Sequence, residues 1–169
     1  MDMGSNFVLE EDGTIFIDSS KLINLTAEYA LVKTMRASIL TLGPMLAKYK
    51  EAKISLPGGC AIGTRPVNLH LDALEKMGAT IDVKNGYIYA KAKELVGTQI
   101  NFDLISVTAT ENIIMAASLA NGITTINNAA QEPEVTELIK CLNRMGAKIT
   151  GQNTSTLIVE GVDHLDGCE

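Results

Sequence analysis

The chain has 169 residues, of which 46% are hydrophobic, and a formal net charge of −6. This length is sufficient for one ordinary domain with a substantial core. The acidic balance, the lack of a basic run and the 4% aromatic content argue against nucleic-acid binding. No apolar run approaches the ~20 residues that cross a bilayer. The first residues do not resemble a secretory signal, which predicts a cytoplasmic protein.

The cysteines and histidines are too few and too scattered to indicate a disulfide framework or a metal site. Cys60, Cys141 and Cys168 show no paired spacing, and His70 and His164 are far apart. We predict that Cys141 packs in the core and that Cys168 is an exposed thiol. His70 is predicted to be a helix cap or a surface residue.

Three segments repeat one pattern, in which a methionine and a glycine precede a β-rich run, a turn and a second β-rich run. The pattern begins at Met3, Met77 and Met145, and the second β-rich runs cover 14–17, 87–90 and 156–159. In the middle copy, Asn85-Gly86 predicts a hairpin turn. Such repetition is typical of one supersecondary unit that is used several times.

Between the first two copies, the sequence predicts one long helix over about 28–50. Its apolar stripe has helical spacing and consists of Leu31, Met35, Ile39, Leu42 and Leu46. Because proline lacks a backbone N–H and clashes with the preceding turn, Gly43-Pro44 should bend this helix or end its first part.

The segment 56–70 places a thiol in a glycine-rich loop ahead of a helix. The glycines before Cys60 allow positive φ and close approach of a ligand. Pro66 suits the first turn of a helix, whose N–H groups lack partners. Together with Arg65, these N–H groups would bind a phosphate or carboxylate beside Cys60. The alternative is that Cys60 packs as a small hydrophobe in a connecting turn.

The last third of the chain shows the repeated unit most completely. Its predicted elements are a strand over 99–102, a helix over 109–120, a strand over 123–127, a helix over 133–144 and a closing hairpin. This order is β-α-β-α-β-β. We therefore predict an α/β fold with a hairpin over 1–19 that closes a truncated unit, a second unit over 20–95 and a third over 96–165.

The two complete units differ at one corresponding junction between a strand and a helix. Where the second unit has Gly58-Gly59-Cys60, the third has residues 127–132, which include neither a thiol nor an arginine. A purely structural connection does not require this difference. The Cys60 loop is therefore the specialised copy.

Three motifs carry a resemblance to a known family. They are Leu-Val-Lys-Thr-Met-Arg-Ala-Ser at 31–38, Pro-Gly-Gly-Cys at 57–60 and Ala-Thr-Glu-Asn-Ile at 109–113. They resemble the enolpyruvyl transferase family of peptidoglycan synthesis, UDP-N-acetylglucosamine 1-carboxyvinyltransferase. The resemblance runs from about Met3 to the end. It implies an inside-out α/β barrel of repeated units, with helices inside and sheets outside, of which this chain is part of the cysteine-bearing domain.

The resemblance implies transfer of the enolpyruvyl group of phosphoenolpyruvate to the 3′-hydroxyl of UDP-N-acetylglucosamine, with release of phosphate and without a metal or organic cofactor. Cys60 matches the family's general acid. A thiol with an unperturbed pKa of about 8.5 is protonated at neutral pH, as this role requires. In the family, the epoxide fosfomycin alkylates this cysteine. The enolpyruvyl transfer that the family catalyses supports cell-wall growth, cell shape and division.

The resemblance also implies a substrate-binding set. Arg65 matches a residue that holds phosphate groups near the thiol, and Arg36 matches a contact to the UDP-sugar. The other matched positions are Pro66, Val67, Asn68 and Leu69 around the uridine, and Leu104, Ile105, Ser106 and Val107 near the diphosphate. For Ser106 and Thr108, simple capping of the following helix is the alternative.

Four positions depart from the residues that are usual in the family, and they affect the expected nucleotide affinity rather than the reaction class. Asn68 replaces an aspartate, Thr108 replaces a glycine, Leu104 replaces a lysine present in some members and Gln131 replaces an arginine.

Two other functions stay open on sequence grounds. The related enolpyruvyl transferase of aromatic amino-acid synthesis shares the fold and the donor but uses shikimate 3-phosphate and lacks the cysteine loop. Alternatively, the chain is a non-catalytic domain that binds a UDP-sugar or only packs. Because the family's active site lies between two domains, we expect that this chain needs the second domain and is inactive alone.

Overall fold

The computed structural model describes residues 4–20, 22, 24–27, 29–32, 36–56 and 67–168, with the backbone alone for residues 30, 31 and 36. Within these residues the fold is α/β, as predicted, with two four-stranded mixed sheets and a separate two-stranded sheet. None of the described helices combines the length and the apolar character that a membrane span requires.

The separate sheet is the hairpin of β1 (Asn6–Leu9) and β2 (Ile15–Asp18). Both strands are exposed along their whole length. The large exposed hydrophobic side chains of this hairpin are Phe7, Val8, Leu9, Ile15, Phe16 and Ile17. Exposed apolar patches of this kind are typical of interaction surfaces.

The first four-stranded sheet has the order β3-β4-β6-β5. Its strands are β3 (Thr26–Ala27), β4 (Glu51–Ser55), β5 (Thr80–Lys84) and β6 (Tyr87–Lys91). Strands β3 and β4 run parallel, and the other neighbours run antiparallel. The elements between its strands are α1 (Tyr29–Val32), a 3₁₀ helix (Arg36–Thr41), α2 (Leu42–Tyr49) and α3 (Asn68–Lys76).

The second four-stranded sheet repeats this arrangement, with the order β7-β8-β10-β9 and its parallel pair at the corresponding place. Its strands are β7 (Gln99–Asn101), β8 (Ile123–Asn127), β9 (Lys148–Thr150) and β10 (Thr156–Glu160), and its helices are α4 (Val107–Ala117) and α5 (Pro133–Arg144). The predicted order β-α-β-α-β-β is therefore confirmed for this stretch.

The hairpin turn between β5 and β6 is confirmed where Asn85-Gly86 predicts it. Asn85 has φ 51° and Gly86 has φ 77°. Positive φ at both central residues is the geometry of a type I′ turn, which matches the twist of the flanking strands. The turn thereby fixes the register that pairs Lys84 with Tyr87.

The helices lie at the centre of the described structure, and the sheets pack around them. Helix α4 contacts α2, α3 and α5. Along β4, Ala52 and Ile54 are buried, and along β6, Ile88 and Ala90 are buried. Because side chains alternate along a strand, one face of the sheet packs against the helices and the other is exposed. This is the expected arrangement, with helices inside and sheets outside.

The prediction of a single helix over 28–50 is wrong. Its described part is a short α-helix, a 3₁₀ helix and then α2, so the break falls before Gly43-Pro44 rather than at it. Pro44 lies in the first turn of α2, where its missing N–H is not needed. The apolar spacing correctly predicted the burial of Ile39, Leu42 and Leu46. Spacing alone, however, does not reveal where a helix is interrupted.

The predicted burial of two residues is also wrong. Cys141 is exposed because it lies on α5 away from the buried residues Val135, Ile139 and Leu142. Its Sγ is 3.7 Å from Sγ of Cys168, which is exposed as expected. His70, predicted as a cap or surface residue, is buried between helices.

Candidate functional site

A cavity of about 540 Å³ lies where the N-terminal ends of α3 and α4 approach the 3₁₀ helix. Its lining residues are Ala37, Ile39, Val67, Leu69, His70, Leu104, Ile105, Ser106, Val107 and Thr108. Six of the predicted binding residues are among them, from two segments that are far apart in the sequence. The fold thus brings the predicted uridine and diphosphate segments to one cavity.

The remaining predicted positions lie beside this cavity or outside the described residues. Asn68 is exposed in the first turn of α3, next to the lining residues Val67 and Leu69. Arg36 begins the 3₁₀ helix whose next turn lines the cavity, and its side chain is outside the described part.

Cys60, Arg65 and Pro66 belong to the segment 57–66, which lies outside the described residues. The described chain stops at Leu56 after β4 and resumes at Val67 on the cavity wall. The predicted thiol loop therefore joins β4 to the cavity along the chain. The roles of its three residues stay predictions.

Among the described residues, two helix N-termini determine the electrostatic character of the cavity. Helices α3 and α4 both begin at its wall, and neither has an acidic residue in its first turn. The unpaired N–H groups of a first turn and the helix dipole both favour a bound anion. The arrangement is therefore suited to a ligand with phosphate groups between two apolar segments.

Ser106 caps α4, as the structural alternative for this residue predicts. Its Oγ accepts a hydrogen bond from the backbone N–H of Ala109 at 3.3 Å. Capping uses the hydroxyl as an acceptor and leaves its proton available as a donor. Capping and ligand binding by Ser106 are therefore compatible.

Two substitutions at Ser106 should separate these roles. At an N-cap, replacement of serine by glycine costs only a few tenths of a kcal/mol of stability, whereas replacement by alanine costs about 1 kcal/mol. Ser106→Ala should therefore lower the free energy of unfolding more than Ser106→Gly. Both lose the hydroxyl and should bind a nucleotide sugar equally weakly. Urea unfolding and calorimetric titration measure the two effects, with the exposed Ser155→Ala as control. Unchanged affinity in both variants would leave capping as the role of Ser106.

A buried polar cluster lies behind the cavity, and its central residue, Asn112, is not among the predicted site residues. Asn112 on α4 is fully buried, and its Oδ1 accepts the backbone N–H of Gly43 at 2.8 Å. Its Nδ2 is 3.0 Å from Nδ1 of His70, which lines the cavity. The available signal was an asparagine on a helix that is otherwise mostly apolar, since a buried amide needs partners.

A second cavity of about 440 Å³ is less suited to a polar ligand. Most of its wall is apolar: Leu22, Leu40, Pro44, Met45, Met115 and Leu138, together with Ser5, Thr41 and Glu111. Glu111 is its one charged side chain, and a carboxylate repels phosphate. We therefore assign the candidate site to the first cavity.

The carboxyl group of Glu111 predicts a pH-dependent stability. Burial raises its pKa, and the negative charge of Glu134 adds to this effect. Because the folded protein holds the proton more firmly than the unfolded chain, ionisation of Glu111 lowers stability as pH rises through the raised pKa. Glu111→Gln should therefore raise the Tm at pH 7, and the gain should vanish below the ordinary pKa of 4.5.

Thermal unfolding between pH 4 and pH 8 measures this effect. Glu137→Gln is the matched control, because a hydrogen bond from Lys140 lowers the pKa of Glu137 and its charge is therefore stabilising at pH 7. The control should show no gain in Tm at pH 7. If Glu111→Gln raised the Tm equally at pH 4 and pH 7, ionisation of Glu111 would not be the cause of the increase.

Comparison with solved structures gives the class of fold. The enolpyruvyl transferase NikO from Streptomyces tendae aligns with a TM-score of 0.82 and 19% identity, over 98% of this chain and 39% of NikO. EPSP synthase from Acinetobacter baumannii aligns with a TM-score of 0.74 and 21% identity, over 98% of this chain and 38% of that enzyme. The fold is therefore that of the enolpyruvyl transferases, as predicted.

The sequence then identifies the family. The profile described as EPSP synthase (3-phosphoshikimate 1-carboxyvinyltransferase) matches residues 2–169. The chain belongs to this family.

Curated relatives are more specific. The UDP-N-acetylglucosamine 1-carboxyvinyltransferases of Vesicomyosocius okutanii subsp. Calyptogena okutanii (strain HA) and Ruthia magnifica subsp. Calyptogena magnifica are each 72% identical over 167 residues, 99% of this chain and 40% of each relative. That of Shewanella denitrificans is 63% identical over 158 residues, 93% of this chain and 38% of the relative. The resemblance inferred from the motifs is confirmed, and the chain spans about 40% of the length of the first two relatives.

Proposed function

We propose that the protein that contains this chain transfers the enolpyruvyl group of phosphoenolpyruvate to the 3′-hydroxyl of UDP-N-acetylglucosamine, a step of peptidoglycan synthesis. The observation that carries the proposal is the cavity in which six predicted nucleotide-binding residues meet. The names of the relatives at 72% identity support this acceptor.

The acceptor's diphosphate is assigned to the space between the first turns of α3 and α4. There the helix dipoles and the N–H groups that the capping bonds leave unused stabilise negative charge. The uridine is assigned to the stretch 66–69, where Val67 and Leu69 provide apolar contact. Arg36 is assigned to the UDP-sugar because the resemblance implies this contact, and its place at the start of the 3₁₀ helix beside the cavity is compatible with that role.

The chemical step is assigned to the Cys60 loop. Cys60 donates its proton to the methylene carbon of phosphoenolpyruvate, and the adjacent carbon becomes electrophilic. The 3′-hydroxyl of the acceptor adds to that carbon and forms a tetrahedral intermediate, and the hydroxyl proton leaves with the phosphate overall. Breakage of the bond from carbon to the phosphate oxygen and return of one methyl proton to the Cys60 thiolate then restore the double bond and the thiol. Arg65 holds the phosphate, because its planar cation matches phosphate oxygens.

We propose that residues 20–95 and 96–165 are the two complete units, that residues 1–19 close another unit, and that the rest of the protein covers the exposed apolar hairpin. Because substrates would lie between this domain and a second one, the 169-residue chain alone should release no phosphate. We place the reaction in the cytoplasm, where phosphoenolpyruvate and nucleotide sugars are made, and expect that fosfomycin alkylates Cys60.

The test is acceptor-dependent phosphate release by the complete product of the gene. With phosphoenolpyruvate present, we expect release with UDP-N-acetylglucosamine and none above background with shikimate 3-phosphate. Release with shikimate 3-phosphate alone would assign the protein to the alternative enzyme. Nucleotide binding without release from either acceptor would support the non-catalytic alternative.

A further inference from the structure

Two exposed thiols lie side by side, and neither of them lines the candidate site. Cys141 is on α5, and Cys168 is in the segment after β10 (161–168). Their Sγ atoms are 3.7 Å apart. This separation is a contact between two thiols, since a disulfide bond is about 2.05 Å long, and a bond between them requires an approach of less than about 2 Å.

The fold holds the segment after β10 against the end of α5. The backbone N–H of Asp166 donates to the carbonyl oxygen of Met145, the C-cap of α5, at 2.8 Å. From the same segment, Leu165 packs against the core. The N–H of Met145 in turn donates to the carbonyl oxygen of Cys141 at 3.0 Å. The anchored chain therefore reaches Cys168 close to the last turn of α5, so tertiary structure brings the two thiols together.

Cys168 has the freedom that this approach requires. It is exposed, and its backbone belongs to no helix or strand. At the preceding Gly167, no atom lies within 4 Å of an added Cβ. Cys141, by contrast, is fixed on the backbone of α5. Small rotations of the chain next to Cys168 therefore close the gap without a movement of the helix.

We propose that Cys141 and Cys168 form a modification site, at which a small-molecule disulfide such as glutathione disulfide oxidises the two thiols to one intramolecular disulfide. In a cytoplasmic protein such a bond is transient, because glutathione and thioredoxin keep thiols reduced. The bond is thus a reversible response to oxidation and not a permanent part of the fold. When it forms, it joins the segment after β10 to α5.

The reaction consists of two successive exchanges. The thiolate of Cys141 attacks one sulfur of glutathione disulfide, forms a mixed disulfide and releases one glutathione. The thiolate of Cys168 then attacks Sγ of Cys141 and releases the second glutathione. The two protein thiols lose two electrons and two protons, and glutathione disulfide takes them up as two glutathione thiols. Cys168 is assigned to the second step because its hydrogen bond with Cys141 raises the pKa of its thiol.

Peptide mass spectrometry of the complete gene product tests the site after treatment with glutathione disulfide. In the wild-type protein, we expect Cys141 and Cys168 to be joined to each other and to carry no glutathione. In Cys141→Ser and in Cys168→Ser, the second exchange is impossible, so the remaining thiol should keep its glutathione. Both positions are exposed, so serine should leave the fold intact.

Three results of this experiment would overturn the proposal. Glutathione on both Cys141 and Cys168 of the wild-type protein would show that the two thiols do not reach each other. A disulfide from either residue to Cys60, or one between two copies of the protein, would show that other thiols are closer in solution. Electrophoresis without a reductant detects the linked copies.

Thermal unfolding measures the effect of the bond on the fold. A disulfide between α5 and the segment after β10 closes a loop that contains β9 and β10, and this restricts the unfolded chain. We expect oxidation to raise the Tm of the wild-type protein by about 3 °C or more, and dithiothreitol to reverse the gain.

The Cys141→Ser variant, treated in the same way, is the control and should show no gain in Tm. An unchanged or lower Tm of the oxidised wild-type protein would show that the folded backbone does not favour the bond, and the proposal would be wrong. Neither measurement requires turnover, so the outcome is independent of the proposed function.

Discussion

Phosphate release by the complete gene product should fall at least 100-fold when Cys60 is replaced by alanine. The expected size follows from the loss of general acid catalysis, which contributes ~10²–10⁴-fold when a positioned side chain transfers a proton. If Cys60 only transfers a proton, the affinity for UDP-N-acetylglucosamine should change little. Timed phosphate assays measure the rate of release, and calorimetric titration with the nucleotide sugar measures the affinity.

The other two thiols provide controls for Cys60. Cys141 and Cys168 are both exposed. Their replacement by serine should leave phosphate release unchanged, because both are remote in sequence from the predicted loop and neither lines the cavity. Equal losses in all three variants would contradict a special role for Cys60.

Alkylation by an epoxide distinguishes the thiols more directly. The hydrogen bond with Cys141 raises the pKa of the Cys168 thiol, which lowers the thiolate fraction at neutral pH and with it the reactivity. Peptide mass spectrometry after treatment with fosfomycin should therefore find little adduct at Cys168, and the family resemblance predicts the adduct at Cys60. Preferential labelling at Cys168 or Cys141 would show that exposure alone decides the reaction.

The substitution Gly43→Ala should have a large effect on stability. An added Cβ would lie 2.5 Å from Oδ1 of Asn112, closer still to the carbonyl oxygen of the same residue, and 3.3 Å from Cβ of Ala116. Helices α2 and α4 would have to separate, and the hydrogen bond from Gly43 to Asn112 would be lost. Overpacking and an unsatisfied buried group together predict a loss of about 2–4 kcal/mol.

Urea unfolding measures this loss, with Gly167→Ala as the control. No atom lies within 4 Å of an added Cβ at Gly167, and its φ is not in the left-handed region. The control should change the free energy of unfolding by less than about 0.5 kcal/mol, as is usual at exposed positions. A loss below 1 kcal/mol for Gly43→Ala would show that the two helices can separate easily.

The sequence predicts elements best where local patterns determine them. The turn at Asn85-Gly86 follows from residue types that tolerate positive φ, and α5 begins at Pro133 as expected. The break before α2 could not be predicted in this way. It is stabilised by a hydrogen bond from Gly43 to Asn112, residues 69 positions apart in the chain.

The candidate site shows the same contrast between features set by local sequence and features set by long-range contacts. The family resemblance predicts Val67, Leu69 and the segment 104–107 as binding residues, and these residues line one cavity. His70 was predicted as a cap or surface residue because its partner, Asn112, is on another helix. Asn112 is part of the motif at 109–113, but its role depends on three packed helices. Such a contact has no local signal in the sequence.

We propose that the cavity at the N-termini of α3 and α4 binds the diphosphate of UDP-N-acetylglucosamine. Hydrogen exchange of the complete gene product, followed by mass spectrometry, tests this binding without the need for turnover. We expect this nucleotide sugar to slow exchange in peptides that cover 67–71 and 104–110, with no change over 148–160, and shikimate 3-phosphate to slow exchange in neither cavity segment. Unchanged exchange in both segments at saturating UDP-N-acetylglucosamine would show that the nucleotide sugar does not bind there.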